Sequence, residues 1–147
     1  MINYFKAAER LLINRTQLER SLENLTRRQA VLLARDKPTE AAAVDLSRPF
    51  VSSSFTTDAL SSLLDLVEVN NEIARTNEII SDIDSVLSQL EDQDAGILRA
   101  WYIEQLPKEA IAEQFSFSSR TSVYDLRNKA VAAFALLYFG GGALAST

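Results

Sequence analysis

Residues 106–134 read LPKEAIAEQFSFSSRTSVYDLRNKAVAAF, two stretches of helical spacing separated by a run of serine and phenylalanine. Pro107 suits the first turn of a helix, where its missing N–H has no partner to lose. Ile111 and Phe115 then fall four residues apart on one face, and Ala112 is small where two helices would cross closely. Ser116 to Ser119 interrupt the pattern, and Ser118 or Ser119 can accept a backbone N–H of the helix that follows. Val123, Leu126, Ala130, Val131 and Phe134 resume the helical spacing. That turns Arg120, Thr121, Ser122, Tyr124, Arg127 and Asn128 in other directions, solvent among them. Helix, tight turn, helix is the arrangement that presents side chains to phosphates and base edges. It also occurs in any small helical bundle, so a purely structural bundle stays open on pattern alone.

The run Ile111 to Ala130, IAEQFSFSSRTSVYDLRNKA, resembles the helix-turn-helix of region 4 of bacterial sigma factors. The resemblance makes Ile111-Ala112 the hallmark pair of the first helix, Val123 the buried anchor of the second, and Lys129-Ala130 its close. Residues 97–107, ILRAWYIEQLP, are similar to the supporting helix that leads into that motif. The wider order of a long N-terminal helix, a Pro/Ser linker, a coiled helix and this motif resembles the small sigma-like regulators of phage late genes, the ArpU and RinA kind. Motif-level similarity is confined to residues 97–134. It implies a sequence-specific DNA-binding regulator, an activator of phage or prophage late genes. Its remaining helices would contact RNA polymerase or a second subunit.

Composition bounds the alternatives. The 147 residues, 47% of them apolar, can bury one core or divide into a small domain and an elongated arm. Cysteine and histidine are absent, which removes thiol chemistry, a histidine general base and the usual zinc ligands. No convergent acid, base and nucleophile stands out, so the chain reads as a non-enzyme with no cofactor and no metal. The N-terminus lacks a signal-peptide core, and the longest apolar run, Ala130 to Phe139, is too short for a membrane span. A soluble cytoplasmic protein is expected.

The net charge of −5 hides a segregation. Residues 1–35 hold seven cations against three acids, residues 36–95 three against thirteen, and residues 96–147 five against four. Both ends are thus net cationic around an acidic middle, so any DNA affinity should be modest and helped by a protein partner. On the second helix of the motif, Asp125 would repel phosphates, accept from a cytosine amino group, or pair with a nearby cation.

The acidic middle has its own pattern. Leu66, Ile73, Ile80 and Leu87 recur every seven residues, interleaved with Val69, Thr76, Ile83 and Leu90. A long helix from about Thr57 to Glu91 follows, with Thr76 the one polar member of its seam and Glu68, Glu72, Glu78, Asp82, Asp84 and Glu91 on a solvated face. From Asn3 to Arg35 a second heptad set, Tyr4, Leu11, Leu18, Leu25 and Leu32, is interleaved with Ala8, Arg15, Leu22 and Gln29. Arg15 and Gln29 fit a closed seam poorly. The two helices are expected to pair antiparallel within the chain, or across a homodimer. Residues 36–56 contain Pro38, Pro49 and several serines and read as a loop.

Glu91, Asp92 and Asp94 lack the glycine and terminal glutamate of a calcium loop and are expected to cap a helix near Asp94 that runs from Ile97 to Gln105. Trp101 and Tyr102 read as core. The apolar end of the last helix, to Phe139, requires cover from the Trp101 helix or another subunit, and residues 140–147 read as a flexible tail.

These readings combine into an all-α chain: a helical-hairpin or coiled-coil arm over residues 1–93, then a helix-turn-helix domain over 94–139. Double-stranded DNA is the expected ligand, bound by Ser118, Ser119, Arg120, Thr121, Ser122, Tyr124, Arg127, Asn128 and Lys129. The helix from Ser119 would enter the major groove, with Arg127 and Lys129 on flanking phosphates. RNA polymerase and a second copy of the chain are the expected protein partners. The rival is a non-enzymatic helical adaptor that binds a protein through its acidic helix.

Overall fold

A computed structural model describes residues 2–36, 57–115 and 120–146, with the side chains of Asp36, Arg120, Thr121, Ala145 and Ser146 outside that description. The fold is all-α, and the described residues contain no strand. Helix α1 spans Tyr4–Asp36 and α2 spans Thr57–Gln89. Helix α3, Asp92–Leu98, runs into a π-helical turn at Arg99–Ile103. Helices α4, Lys108–Gln114, and α5, Arg120–Phe139, precede a 3-10 turn at Gly141–Ser146. None of the described helices is long and apolar enough to cross a membrane. The linker between α1 and α2 and the serine run between α4 and α5 fall outside the described residues.

Sequence dictates where α1 starts and which side it buries. Asn3 caps it, its Oδ1 accepting the Lys6 backbone N–H at 3.0 Å, which satisfies one of the otherwise orphaned first-turn donors. No Gly or Pro interrupts the next 33 residues. Ala8, Leu12 and Leu32 are buried, while Tyr4, Leu11, Arg15, Leu18, Leu22, Leu25 and Gln29 are half-buried along the heptad seam. On α2, Val69, Thr76, Ile83 and Leu87 are buried and Leu66, Ile73 and Ile80 half-buried, as is Leu90 just past its end, the set expected from spacing.

The polar seam positions are each satisfied. Thr76 donates its hydroxyl to the Glu72 carbonyl at 2.7 Å, which allows a hydroxyl to lie in an apolar seam without an unpaired donor. Gln29 donates to Asn70 Oδ1 at 2.7 Å. Arg15 grips Asp84 with two parallel bonds, Nε to Oδ1 and Nη2 to Oδ2, both 2.7 Å, and its Nη1 reaches Glu19 at 2.7 Å. These acceptors hold the Arg15 guanidinium firmly in its charged form, against the opposing effect of burial. Spacing placed Asp84 on a solvated acidic face; here it is a seam partner.

The chain divides into two compact units, Arg20–Asn77 and a second made of Met1–Glu19 with Glu78–Thr147. The division therefore differs from a boundary between residues 93 and 94. The start of α1 belongs with the C-terminal helices because Ala8 and Leu12 are fully buried in the same core as Ile97, Ile111, Val123 and Phe134.

Within that unit the helix-cap expectation at Asp94 is also corrected. Helix α3 starts at Asp92, with Glu91 at the cap position three residues before the expected one and its carbonyl accepting from Ala95 at 2.9 Å; Asp94 is buried in the first turn. Of residues 97–102, all but Arg99 are buried, so this segment is surrounded by its neighbours. It ends where Gln105 takes a left-handed conformation, φ 54°, and Leu106 N–H returns to the Ala100 carbonyl at 2.9 Å. Gly96 makes room for Phe115, since a Cβ there would lie 3.1 Å from the ring. Residues 140–146 are not the loose tail that three consecutive glycines suggested. Gly140, at φ 84°, breaks α5, and the 3-10 turn after it buries Ala143. Tyr4 lies against this end, its ring 5.2 Å from that of Phe139.

Candidate nucleic-acid interface

Helix α5 has a buried side and a free side. Val123, Ala130, Val131 and Phe134 are fully buried, Leu126 nearly so, and Ile111 of α4 is buried in the same core. The spacing of these residues leaves Tyr124, Asp125, Asn128 and Lys129 exposed in the N-terminal half of the helix. Helical geometry sets Arg120 in register with Tyr124 and Asn128, and Thr121 in register with Asp125 and Lys129, at four-residue steps. Such a strip of amide, phenol and cation on a rigidly seated helix has donors and acceptors for base edges and charge for phosphates. Its formal charge is small, because Asp125 offsets one of the two cations.

The expected DNA-contacting residues separate into three groups. Ser118 and Ser119 lie outside the described residues, and Arg120 and Thr121 are located by backbone alone in the first turn of α5. Tyr124, Asn128 and Lys129 are exposed, and Ser122 is half-buried with a partner. Arg127 departs from the solvent-facing position inferred for it.

Arg127 is turned inward against α1 and the π-helical turn. Its Nη1 donates to the Tyr102 hydroxyl at 3.1 Å and approaches Glu9 Oε2 at 3.4 Å, and Tyr102 in turn donates to the same Glu9 oxygen at 2.7 Å. Its guanidinium carbon sits 4.6 Å from the centre of the Trp101 ring and 5.6 Å from that of Tyr124. Lys108 adds a second cation over Trp101, at 4.3 Å. Tyr124 meets Trp101 edge-on at 5.1 Å, which orients its ring on the exposed strip. The side chains of Arg127 and Glu9 are 18% and 25% exposed, so the pair is well shielded from solvent. Arg127 Nε is buried and has no hydrogen-bond partner, so the guanidinium is held chiefly through Nη1 and by the rings.

Burial pushes the Tyr102 hydroxyl well above the usual phenol range, and its bond to Glu9 pushes it the same way, while Arg127 opposes both. The phenol therefore stays protonated as the donor that links Glu9 to Arg127. Tyr138, near the end of α5, is also raised, by burial first and then by Asp82 and Glu78.

Sequence reasoning identified Trp101 and Tyr102 as core but missed Glu9. Nothing in heptad spacing distinguishes one exposed-pattern glutamate of α1 from another. Its role arises because the start of α1 packs in the same unit as α5.

No family model matches the chain, and neither curated proteins nor solved structures yield a match.

Proposed function

We propose that the chain is a sequence-specific DNA-binding transcriptional regulator that reads the major groove with the exposed strip of α5. The observation that carries this reading is the strip itself: Tyr124, Asn128 and Lys129 exposed on a helix whose opposite side is locked by Val123, Ala130 and Phe134. Arg120 and Thr121, at the N-terminal end of the same strip, would approach base edges, and Lys129 a flanking phosphate. Ser118 and Ser119 belong to the proposed interface by their place before the helix. Arg127 drops out of it and acts as an internal strut, since freeing its guanidinium would break the link to Glu9 and Tyr102. By resemblance to sigma region 4, activation of phage late genes together with RNA polymerase is the specific form of this reading.

The thin positive surplus makes the salt dependence informative. Fluorescence anisotropy on promoter fragments from the protein's own locus should give a shallow slope of log affinity against log salt, of about one or two phosphate contacts. Lys129→Ala should weaken all sequences alike and flatten that slope by about 1. Asn128→Ala should instead narrow the gap between the preferred site and random DNA. Equal affinity for every fragment in the wild type and both variants would overturn the assignment. The adaptor alternative draws on the exposed acids of α2, Glu68, Glu72, Glu78 and Asp82. It would be favoured by a stable protein complex that withstands Asn128→Ala and Lys129→Ala in a chain that binds no DNA.

A further inference from the structure

Tyr124 differs in two ways from the other exposed members of the α5 strip. Asp125, Asn128 and Lys129 offer charge or an amide, whereas Tyr124 offers a ring, the one broad apolar surface among the described side chains there. It is also the one held from behind. Its ring meets Trp101 edge-on at 5.1 Å, and the Arg127 guanidinium carbon lies 5.6 Å from its centre, yet 39% of the residue stays exposed. Among the described residues no side-chain hydrogen bond, ion pair or ring contact holds Asp125, Asn128 or Lys129.

The support behind Tyr124 is itself fixed. The same guanidinium lies 4.6 Å from the centre of the Trp101 ring, donates to the Tyr102 hydroxyl at 3.1 Å and approaches Glu9 at 3.4 Å. Glu9 comes from α1, Trp101 and Tyr102 from the π-helical turn, and Arg127 and Tyr124 from α5, all within one compact unit. Fixing a tyrosine ring before it meets a ligand removes that ordering cost from the binding step.

We propose that Glu9, Arg127 and Trp101 are positioning residues that set the Tyr124 ring to recognise the C5-methyl group of a thymine in the major groove. This rests on the DNA reading and deepens it, naming one base and the side chain that selects it. Complementary chemistry makes the assignment. The major-groove edges of the bases carry hydrogen-bond donors and acceptors, and the thymine methyl is the one apolar group they display. An apolar ring presented among polar side chains finds its match there. A ring already fixed in place cannot turn aside to suit a pair that lacks the methyl, so its position becomes selectivity.

The test uses the full chain and a short duplex that the wild type selects from a random-sequence pool. In copies of that duplex, one thymine at a time is replaced by deoxyuridine, which removes the methyl and leaves base pairing intact. At one thymine the wild type should lose about fourfold in affinity, the effect of one methyl group taken out of water. Tyr124→Phe should keep that loss, because the ring makes the contact, and Tyr124→Ala should bind both duplexes equally. Arg127→Met and Glu9→Gln should each shrink the ratio towards equality. Each ratio compares two duplexes on the same protein, so a variant that merely folds less well weakens both and leaves the ratio unchanged. A wild type that selects no duplex over the starting pool overturns the DNA reading and this inference with it. A selected duplex with no deoxyuridine-sensitive thymine, a sensitivity that survives Tyr124→Ala, or one that vanishes in Tyr124→Phe overturns this inference and leaves the reading standing. Full sensitivity in Arg127→Met or Glu9→Gln overturns the positioning role.

Discussion

The two units of this chain differ in what they enclose. The unit formed by residues 1–19 and 78–147 buries Leu12, Ile83, Ile97, Ile111, Val123 and Phe134 completely, drawing on every helix that reaches it. In the unit Arg20–Asn77 the buried side chains among the described residues are Leu32, Val69 and Thr76, and six leucines and valines are about half exposed or more, Val31 and Leu33 on α1 and Leu60, Leu63, Leu64 and Val67 on α2. The lesson is one of geometry: two helices in contact can shield a seam, whereas a core needs neighbours on several sides. Local stability should follow enclosure, so residues 20–77 should open at lower free energy than the other unit.

The largest expected effect tests that contrast directly. Phe134→Ala removes a fully buried ring and should cost about 3–5 kcal/mol in urea unfolding, whereas Leu66→Ala, at a half-buried seam position, should cost about 1–2 kcal/mol. Trp101 is the protein's one tryptophan and lies in the enclosed unit, so its fluorescence reports that unit alone while circular dichroism reports both. Equal losses for the two substitutions, or coincident transitions by the two probes, would break the comparison.

Next in size is the strut. Glu9→Ala leaves the Arg127 guanidinium shielded without its carboxylate and should destabilise by about 1–3 kcal/mol, with a change in Trp101 emission as the cation over its ring shifts. Hydrogen exchange in residues 20–77 should be unaffected. Loss of protection there as well would mean the units unfold together.

Tyr102→Phe should cost about 1 kcal/mol at neutral pH by removing the donor to Glu9. The pH dependence has a definite sign. Because the folded chain holds the Tyr102 proton more tightly than the unfolded chain, its contribution is intact below the ordinary phenol value of 10.0. It is lost as pH rises from there through the higher folded value. The wild type should therefore lose stability above pH 10 more steeply than Tyr102→Phe, measured as urea midpoint against pH.

The smallest effect is a gain. Gln105 occupies a left-handed conformation that disfavours a side chain, so Gln105→Gly should stabilise the enclosed unit by about 0.5–1 kcal/mol, read from the thermal midpoint. A loss instead would show that the Gln105 side chain contributes more than its backbone costs.

How much of this was legible beforehand follows from the range of each interaction. The seams of α1 and α2 were, position by position, because a seven-residue repeat is a local signal that burial then obeys. Arg15 and Gln29 looked like flaws in that repeat, since a sequence read one helix at a time cannot pair Arg15 with Asp84 or Gln29 with Asn70. The free strip of α5 was legible at Tyr124, Asn128 and Lys129 because burial of Val123 and Phe134 forces it. Arg127 shares the polarity of those residues and sits one residue from Asn128, yet it points to Glu9, whose partnership spans 118 positions. The burial of Ala143 after three glycines had no local sign either, because glycine reports conformational freedom and is silent on whether a neighbour such as Tyr4 is present.

Sequence alone determined an all-α chain, the extents of its two long helices and the side of each that faces inward, because helical propensity and apolar spacing act over a few residues. Tertiary structure alone decided that the start of α1 joins the C-terminal core. It also decided that Arg127 is a strut rather than a surface cation. Those outcomes depend on which surfaces meet, and contacts between residues far apart in the chain are settled by packing and by the pairing of buried charge.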